Sequence, residues 1–326
     1  MSSFSTLGQK LAIVAVCLSL GACATYERAK PAPAIAGPIT VKVNSEQLSG
    51  WSDLPVGAYK VPESDVIITG HQRGQAAGMM FGLLGVAIAH AANSNASSAG
   101  VSNTERVLRM KLTDQTRAEI EKLVAQQPLA AKFTAQGGGT QLDVSSALLL
   151  SYVNDTQVRS FSVLKVVLTG ADKRPLWETR YFASSGEAKP LEGAGSWTDN
   201  GGEPLKAAVA TNLRQAVKVM LNDVAQPYSR DDKQMTVVEA SFPYIKQRVQ
   251  MKGYSLTEDE NYIAFVPKIG DAMVLSGVNV LDKSVIVYRP AKPDDVVFKL
   301  VPETPAAKTA AAPATAATPS SVATRQ

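Results

Sequence analysis

Side chains able to do acid–base, metal or nucleophilic chemistry are few in this chain of 326 residues. Its two histidines, His71 and His90, stand 19 positions apart. Two ligands on one helix face need a spacing of four, so no metal site is expected, and both read as polar ends of an apolar run. A serine hydrolase would pair one of them with a Gly-x-Ser-x-Gly elbow, and the chain contains none. Two glycine-rich loops raise the question of phosphate. Gly137-Gly138-Gly139-Thr140 leads into a strand rather than a helix, the wrong order for a phosphate cradle. The second, Gly193 to Gly202, does lead into a helix, but Asp199 and Glu203 occupy its positive end and would repel an anion. Glu187, Glu192, Asp199 and Glu203 gather around that loop end. A pair of carboxylates about 5–9 Å apart could cleave a glycosidic bond, so a cell-wall hydrolase remains a reading beside the simpler one of a solvated acidic rim. Trp197 looks exposed in the same loop and suits a contact site, while Glu258-Asp259-Glu260 reads as a solvated turn. The expectation is a protein without cofactor and without enzymatic activity.

The elements that would carry these residues follow from hydrophobic period. Ile39 to Val43 alternates as a half-buried strand does, and Val66-Ile67-Ile68 reads as a second. Glu105 to Ala125 is expected to be helical, with Pro128 beyond its end. Leu142–Tyr152, Val158–Leu168 and Leu176–Ala183 read as an antiparallel meander, separated by Asn154-Asp155 and Gly170-Ala171-Asp172. Leu205, Val209, Leu213, Val217, Leu221 and Val224 recur every three or four residues behind Pro204, the clearest helix in the chain. A second unit is expected over 228–302. It comprises a helix from Phe242 to Lys252 capped by Gly253, strands at Tyr262–Val266, Met273–Leu281 and Ser284–Tyr288, the last two as a hairpin, and an edge strand at Val296–Val301. The fold class expected is α+β: an antiparallel sheet with packed helices over 39–227, and a smaller, mainly β, C-terminal unit. Residues 303–326, dominated by Ala, Pro, Thr and Ser, are too poor in apolar bulk to offset their ordering entropy, so disorder is expected there.

The first 22 residues have the parts of a secretory signal: Lys10, an apolar core from Leu11 to Leu20, and small residues before Cys23. The core is too short to span a bilayer, which takes about 20 residues. Leu20-Gly21-Ala22-Cys23 resembles the lipobox of bacterial lipoproteins. That resemblance implies diacylglycerol on the Cys23 sulfur, cleavage before it and an acyl chain on the new amine. Ala24, where that family uses Asp for inner-membrane retention, implies the outer membrane with the body facing the periplasm. The other cysteine, Cys17, lies inside the signal core, so disulfides, Cys-based zinc and thiol nucleophiles are not expected. Net charge falls from +4 to +3 once Lys10 leaves, without a basic cluster, so no nucleic-acid partner is expected. Ala29 to Pro38 reads as an extended tether between Cys23 and the body.

Gly70, Gly74, Gly78 and Gly82 recur at every fourth position, with Gly85 beyond, inside an apolar segment over 70–92. On a helix they would form one shallow groove that another backbone can enter. Three uses are open: packing against the domain's own sheet, self-association of identical helices into a homo-oligomer, or contact with the membrane. Ala76 to Ala89 gives only 14 uncharged residues for a span. The order of lipobox, glycine segment and α/β body ending in the helix Leu205–Val224 is similar to periplasmic lipoproteins of the TolB-N-terminal-like group, which includes curli-secretion-channel lipoproteins and export accessories. The resemblance covers Ile39 to Ala225. It implies a non-enzymatic module for envelope assembly or protein interaction, whose partners are the membrane, through its lipid, and other envelope proteins. The alternative it implies is an oligomeric component of an export machine.

Overall fold

The structure, a computed structural model, describes residues 28–45, 54, 58–69, 104, 108–134, 137, 139–154, 156–269 and 275–302. Cys23, the five glycines from Gly70 to Gly85, both histidines and the tail 303–326 lie outside the described residues.

The longest ladder joins two strands of 13 residues each. β5 (Thr140–Tyr152) and β6 (Gln157–Thr169) pair antiparallel from Gln141↔Thr169 to Tyr152↔Val158. Asn154 closes their turn by accepting the Thr156 and Gln157 N–H groups at 2.9 and 2.8 Å. β7 (Pro175–Ser184) completes the expected meander against β6. Successive residues of β5 serve opposite faces: Leu148 and Leu150 pack with Val66, Trp197 and Leu205, while Ala147 and Leu149 pack with Phe161 and Phe182.

The sheet is mixed rather than antiparallel. β1 (Ile39–Val43) and β3 (Val66–Thr69) both pair parallel with β5, one with each half of it. β2 (Tyr59–Lys60) adds to β3, the two-residue β4 (Phe133–Thr134) to β1, and the short β8 (Ala188–Pro190) to β6. Two α-helices occur among the described residues. α1 (Thr113–Val124) forms the later part of the helix expected over 105–125, which is broken at residues 109–112; residues 105–107 lie outside the described residues. Residues 110–112 are taken by the entry to β3 instead, where Asp65 accepts the Leu112 N–H at 2.8 Å and gives its own to the Met110 carbonyl. α2 (Glu203–Ala225) matches expectation and spans 23 residues, about 35 Å. Its Leu213, Val217 and Met220 cover Leu164, Tyr181 and Val280 on the first face of the sheet.

The boundary expected near Tyr228 falls within this same sheet. β9 (Met235–Ala240), β10 (Val249–Glu258), β11 (Tyr262–Pro267) and β12 (Val278–Asp282) form consecutive antiparallel pairs, and β12 joins β7 in parallel. The helix expected over 242–252 does not form. Val249, Met251 and Gly253 are buried at alternate positions of β10, and a Cβ on Gly253 would stand 2.1 Å from the Val266 carbonyl oxygen. Gly253 is there for a close backbone approach, not for a helix cap. Nor does the expected hairpin form. Asp282 accepts the Ser284 N–H, starting a turn that carries β13 (Val287–Pro290) to the outer edge of β9. β14 (Phe298–Leu300), within the expected edge strand, pairs with β10. Val238, Val249, Met251 and Phe265 from these strands pack against Phe161, Val163 and Phe182, so the sheet curls over its own second face.

Candidate functional site

Residues 28–38, expected to be a tether, lie against the body. A turn at Arg28 and Ala29 leads into an irregular stretch over 31–35 that contains Pro31 and Pro33, and carbonyls of this segment are available to outside donors. Three consecutive ones are taken: Arg28 O by the Thr179 hydroxyl at 2.8 Å, Ala29 O by Arg230 Nε at 3.2 Å, and Lys30 O by Trp177 Nε1 at 3.1 Å. Farther along, Lys132 Nζ donates to Ile35 O. Ala29 and Ala32 are buried as a result. We refer to this segment as the strap.

Beneath the strap lies a closed ionic cluster. Both Nη atoms of Arg230 reach the Asp223 carboxylate at 3.1 Å, and the Tyr181 hydroxyl donates to Asp223 Oδ2 at 2.9 Å. Asp223 and Tyr181 are fully enclosed and the Arg230 side chain is 6% exposed. Burial, then the neighbouring Asp223 charge, pushes the Tyr181 phenol well above its ordinary range, so it stays a proton donor. A buried pair completed by a hydroxyl fixes geometry, because breaking it strands a charge. Here the geometry fixed is that of Arg230, which holds the strap.

Of the four acidic residues around the Gly193–Gly202 loop, Glu187, Asp199 and Glu203 are engaged separately, and Glu192 raises the Tyr152 phenol by its charge, after burial. Glu187 pairs with Lys189 at 3.0 Å and Glu203 with Lys206 at 2.8 Å, while Asp199 accepts the Gly195 and Asn200 N–H groups. Trp197 is not an exposed contact residue. It is fully buried, with its indole N–H on the Val158 carbonyl at 2.6 Å. Glu258, Asp259 and Glu260 are exposed as expected; Asp259 accepts the Asn261 and Tyr262 N–H groups and so makes the β10–β11 turn. Among the described residues no cluster of three His, Cys, Asp or Glu side chains could hold a metal ion.

Two hollows and a rim have no counterpart in the sequence reading. A cleft of about 270 Å³ separates α2 from β10 and β11, lined by Gln215, Lys218, Asn222, Tyr228, Asp259 and Tyr262. Lys218 Nζ meets Asp259 at 3.0 Å and ties its walls together. Burial raises both phenols; the Thr257 bond opposes this at Tyr228, and Asp282 and Asp259 add to it at Tyr262. A second groove, about 320 Å³, runs between β1 and α1 past Val41, Val43, Ile120 and Val124. The rim is apolar: Val285, Val287, Tyr288, Val296, Val297 and Leu300 are all exposed within residues 285–300. Periodicity could have shown that Val285 and Val287 share a side of an extended chain, but not that this side faces solvent.

Among the described residues no helix is long and apolar enough to cross a membrane. No protein-family profile matches the chain, and no curated protein sequence matches it. A solved structure of a "putative lipoprotein" from Caulobacter crescentus CB15 aligns with 35% of this chain and 80% of its own, at 11% identity and a TM-score of 0.24. A likeness at that level carries no weight for fold or function.

Proposed function

We propose that the protein is a lipid-anchored envelope protein of the outer membrane whose periplasmic body works by contact with other proteins rather than by catalysis. The observation that carries this reading is the docked strap. If Cys23 bears the lipid, only four residues separate it from Arg28, whose carbonyl is already held by Thr179. Five residue steps span at most about 18 Å, against about 50 Å for the fifteen steps to Pro38 had the whole segment been free. The body is thereby kept beside the bilayer, with the Thr179–Arg230 side nearest to it. The six exposed large apolar side chains within residues 285–300 support the contact role, because they are apolar surface left for a partner to cover. Separate engagement of Glu187, Asp199 and Glu203 supports the absence of a paired-carboxylate centre.

The test is palmitate labelling and fractionation of cells producing the wild type and Cys23→Ala. Label in the wild type alone, with the variant released from the outer-membrane fraction, is the expected result. An unlabelled wild type, or a variant that remains in that fraction with its label, would overturn the reading.

A further inference from the structure

Where the curled sheet meets itself, two arginines come together with too little negative charge. Arg159 belongs to β6 and Arg248 precedes β10; both line one small cavity with Ser184, Gly186, Ser241 and Asp282. Arg248 is well occupied: Nε lies 3.4 Å from Glu239 Oε1, and its Nη atoms donate to the Val285 and Glu239 carbonyls at 3.0 and 3.2 Å. Arg159 is not. Its Nε donates to the Gly186 carbonyl at 2.9 Å, but Nη1 is enclosed and makes no hydrogen bond among the described residues. None of the ion pairs of the described residues includes it. The one carboxylate lining the cavity, Asp282, is turned to the Ser284 N–H and hydroxyl at 2.9 and 2.6 Å.

A part-buried guanidinium with one enclosed nitrogen and no counter-charge is costly, and one beside a second guanidinium more so. Burial, then Arg248, pulls Arg159 down to about 10, which leaves it charged at neutral pH and shows the strain of its surroundings. The cavity walls are built rather than accidental. Gly186 has φ +79°, and a Cβ there would meet Val285 Cγ2 at 2.2 Å, so the loop closes on the turn after β12 only with glycine. Ser184 accepts the Gly186 N–H with its hydroxyl oxygen, which leaves its proton as a further donor.

We infer that this cavity is a binding site for one small oxyanion group, a carboxylate or a phosphate, held by Arg159 Nη1 with Arg248 and Ser184 beside it. Guanidinium forks match both groups. A volume of about 10 Å³ admits little more than one oxygen-sized centre, so the leading oxygen enters and the rest stays at the mouth. The ligand is therefore a free small oxyanion or the terminal oxyanion of a longer molecule. Neutral water could fill the same volume but would leave the charge uncompensated.

The experiment is titration of the full-length protein, in a non-ionic detergent, with sodium phosphate and separately with sodium acetate at ionic strength held constant by sodium chloride. The arginine side-chain N–H resonances and the thermal midpoint are read together. A saturable shift of the Arg159 Nε–H signal with either anion, and a saturable rise in midpoint that is at least tenfold weaker in Arg159→Gln, is the result expected. Phosphate acting alone assigns a phosphate site, and acetate alone a carboxylate site. No saturable shift of the Arg159 signal in the wild type overturns the inference, even if the variant fails to fold. So does an equal response in a folded Arg159→Gln.

Discussion

Arg230 and Arg159 are both drawn into the interior of this fold, on opposite faces of the same sheet, and they are kept there differently. On the face covered by α2, Arg230 has its carboxylate, Asp223 has a second donor in Tyr181, and the spare Nε holds the strap. On the face covered by the curl of the sheet, the Arg159 Nη1 and the Tyr244 hydroxyl are enclosed without hydrogen bonds. A completed buried pair does structural work, while an incomplete one leaves chemistry for something else to satisfy.

The sharpest way to break that comparison is to remove charge from each face. Asp223→Asn strands Arg230 and should cost about 3–5 kcal/mol. Arg159→Met removes a charge that has no partner, and should cost no more than about 1 kcal/mol for its one bond to Gly186. Urea midpoints in a buffer free of oxyanions measure both; equal losses would end the distinction. Next in size is the strap. Trp177→Phe loses the bond to the Lys30 carbonyl, about 1 kcal/mol, and should speed trypsin cleavage after Arg28, which Arg159→Met should leave unchanged.

Both faces are sensitive to alkali, because Tyr181 on one and Tyr244 on the other are buried phenols held above their ordinary range. Burial raises the Tyr244 phenol to about 12, while an unfolded tyrosine loses its proton near 10. The unfolded chain thus releases a proton that the folded one keeps, and stability falls as pH rises from about 10 to about 12. Tyr244→Phe should lessen that fall, leaving the part due to Tyr181, without cost at pH 8, since no hydrogen bond is lost; chemical denaturation at pH 8 and pH 11 checks it. Smallest is the exposed tie across the α2 cleft. Burial raises the Asp259 carboxyl, but Lys218 and the Tyr262 and Asn261 N–H groups outweigh it and hold it low. Its contribution is therefore present above the unfolded carboxylate value and lost as pH falls through the folded one. With both partners largely exposed, Lys218→Ala should cost about 0.5 kcal/mol or less, read from thermal midpoints at neutral and acid pH.

Elements whose pattern is local were legible. Strict alternation marked β1, apolar stretches between turn residues marked the meander, and the spacing from Leu205 to Val224 marked α2. Elements decided by distant neighbours were not. Asp65 ends the stretch before α1 from 47 positions away, and Thr179, Arg230 and Trp177 turn a Pro-rich tether into a strap across 147 to 201 positions. Trp197, in a glycine-rich loop, looked exposed because composition cannot show that the Val158 carbonyl accepts its indole N–H. Phe242 to Lys252 has apolar residues that suit a short helix or a strand, and pairing with β9 decided between them. The two arginines of the oxyanion cavity are 89 positions apart and belong to no motif; only the curl of the sheet brings them together.

The central claim, a lipid-held body kept close to the bilayer by a docked strap, is tested most directly by neutron reflectometry of the purified lipoprotein on a supported bilayer. A protein layer that begins within about 18 Å of the headgroups is the result predicted. A hydrated gap approaching the roughly 50 Å that a free tether allows, or no adherence to the bilayer at all, would contradict it.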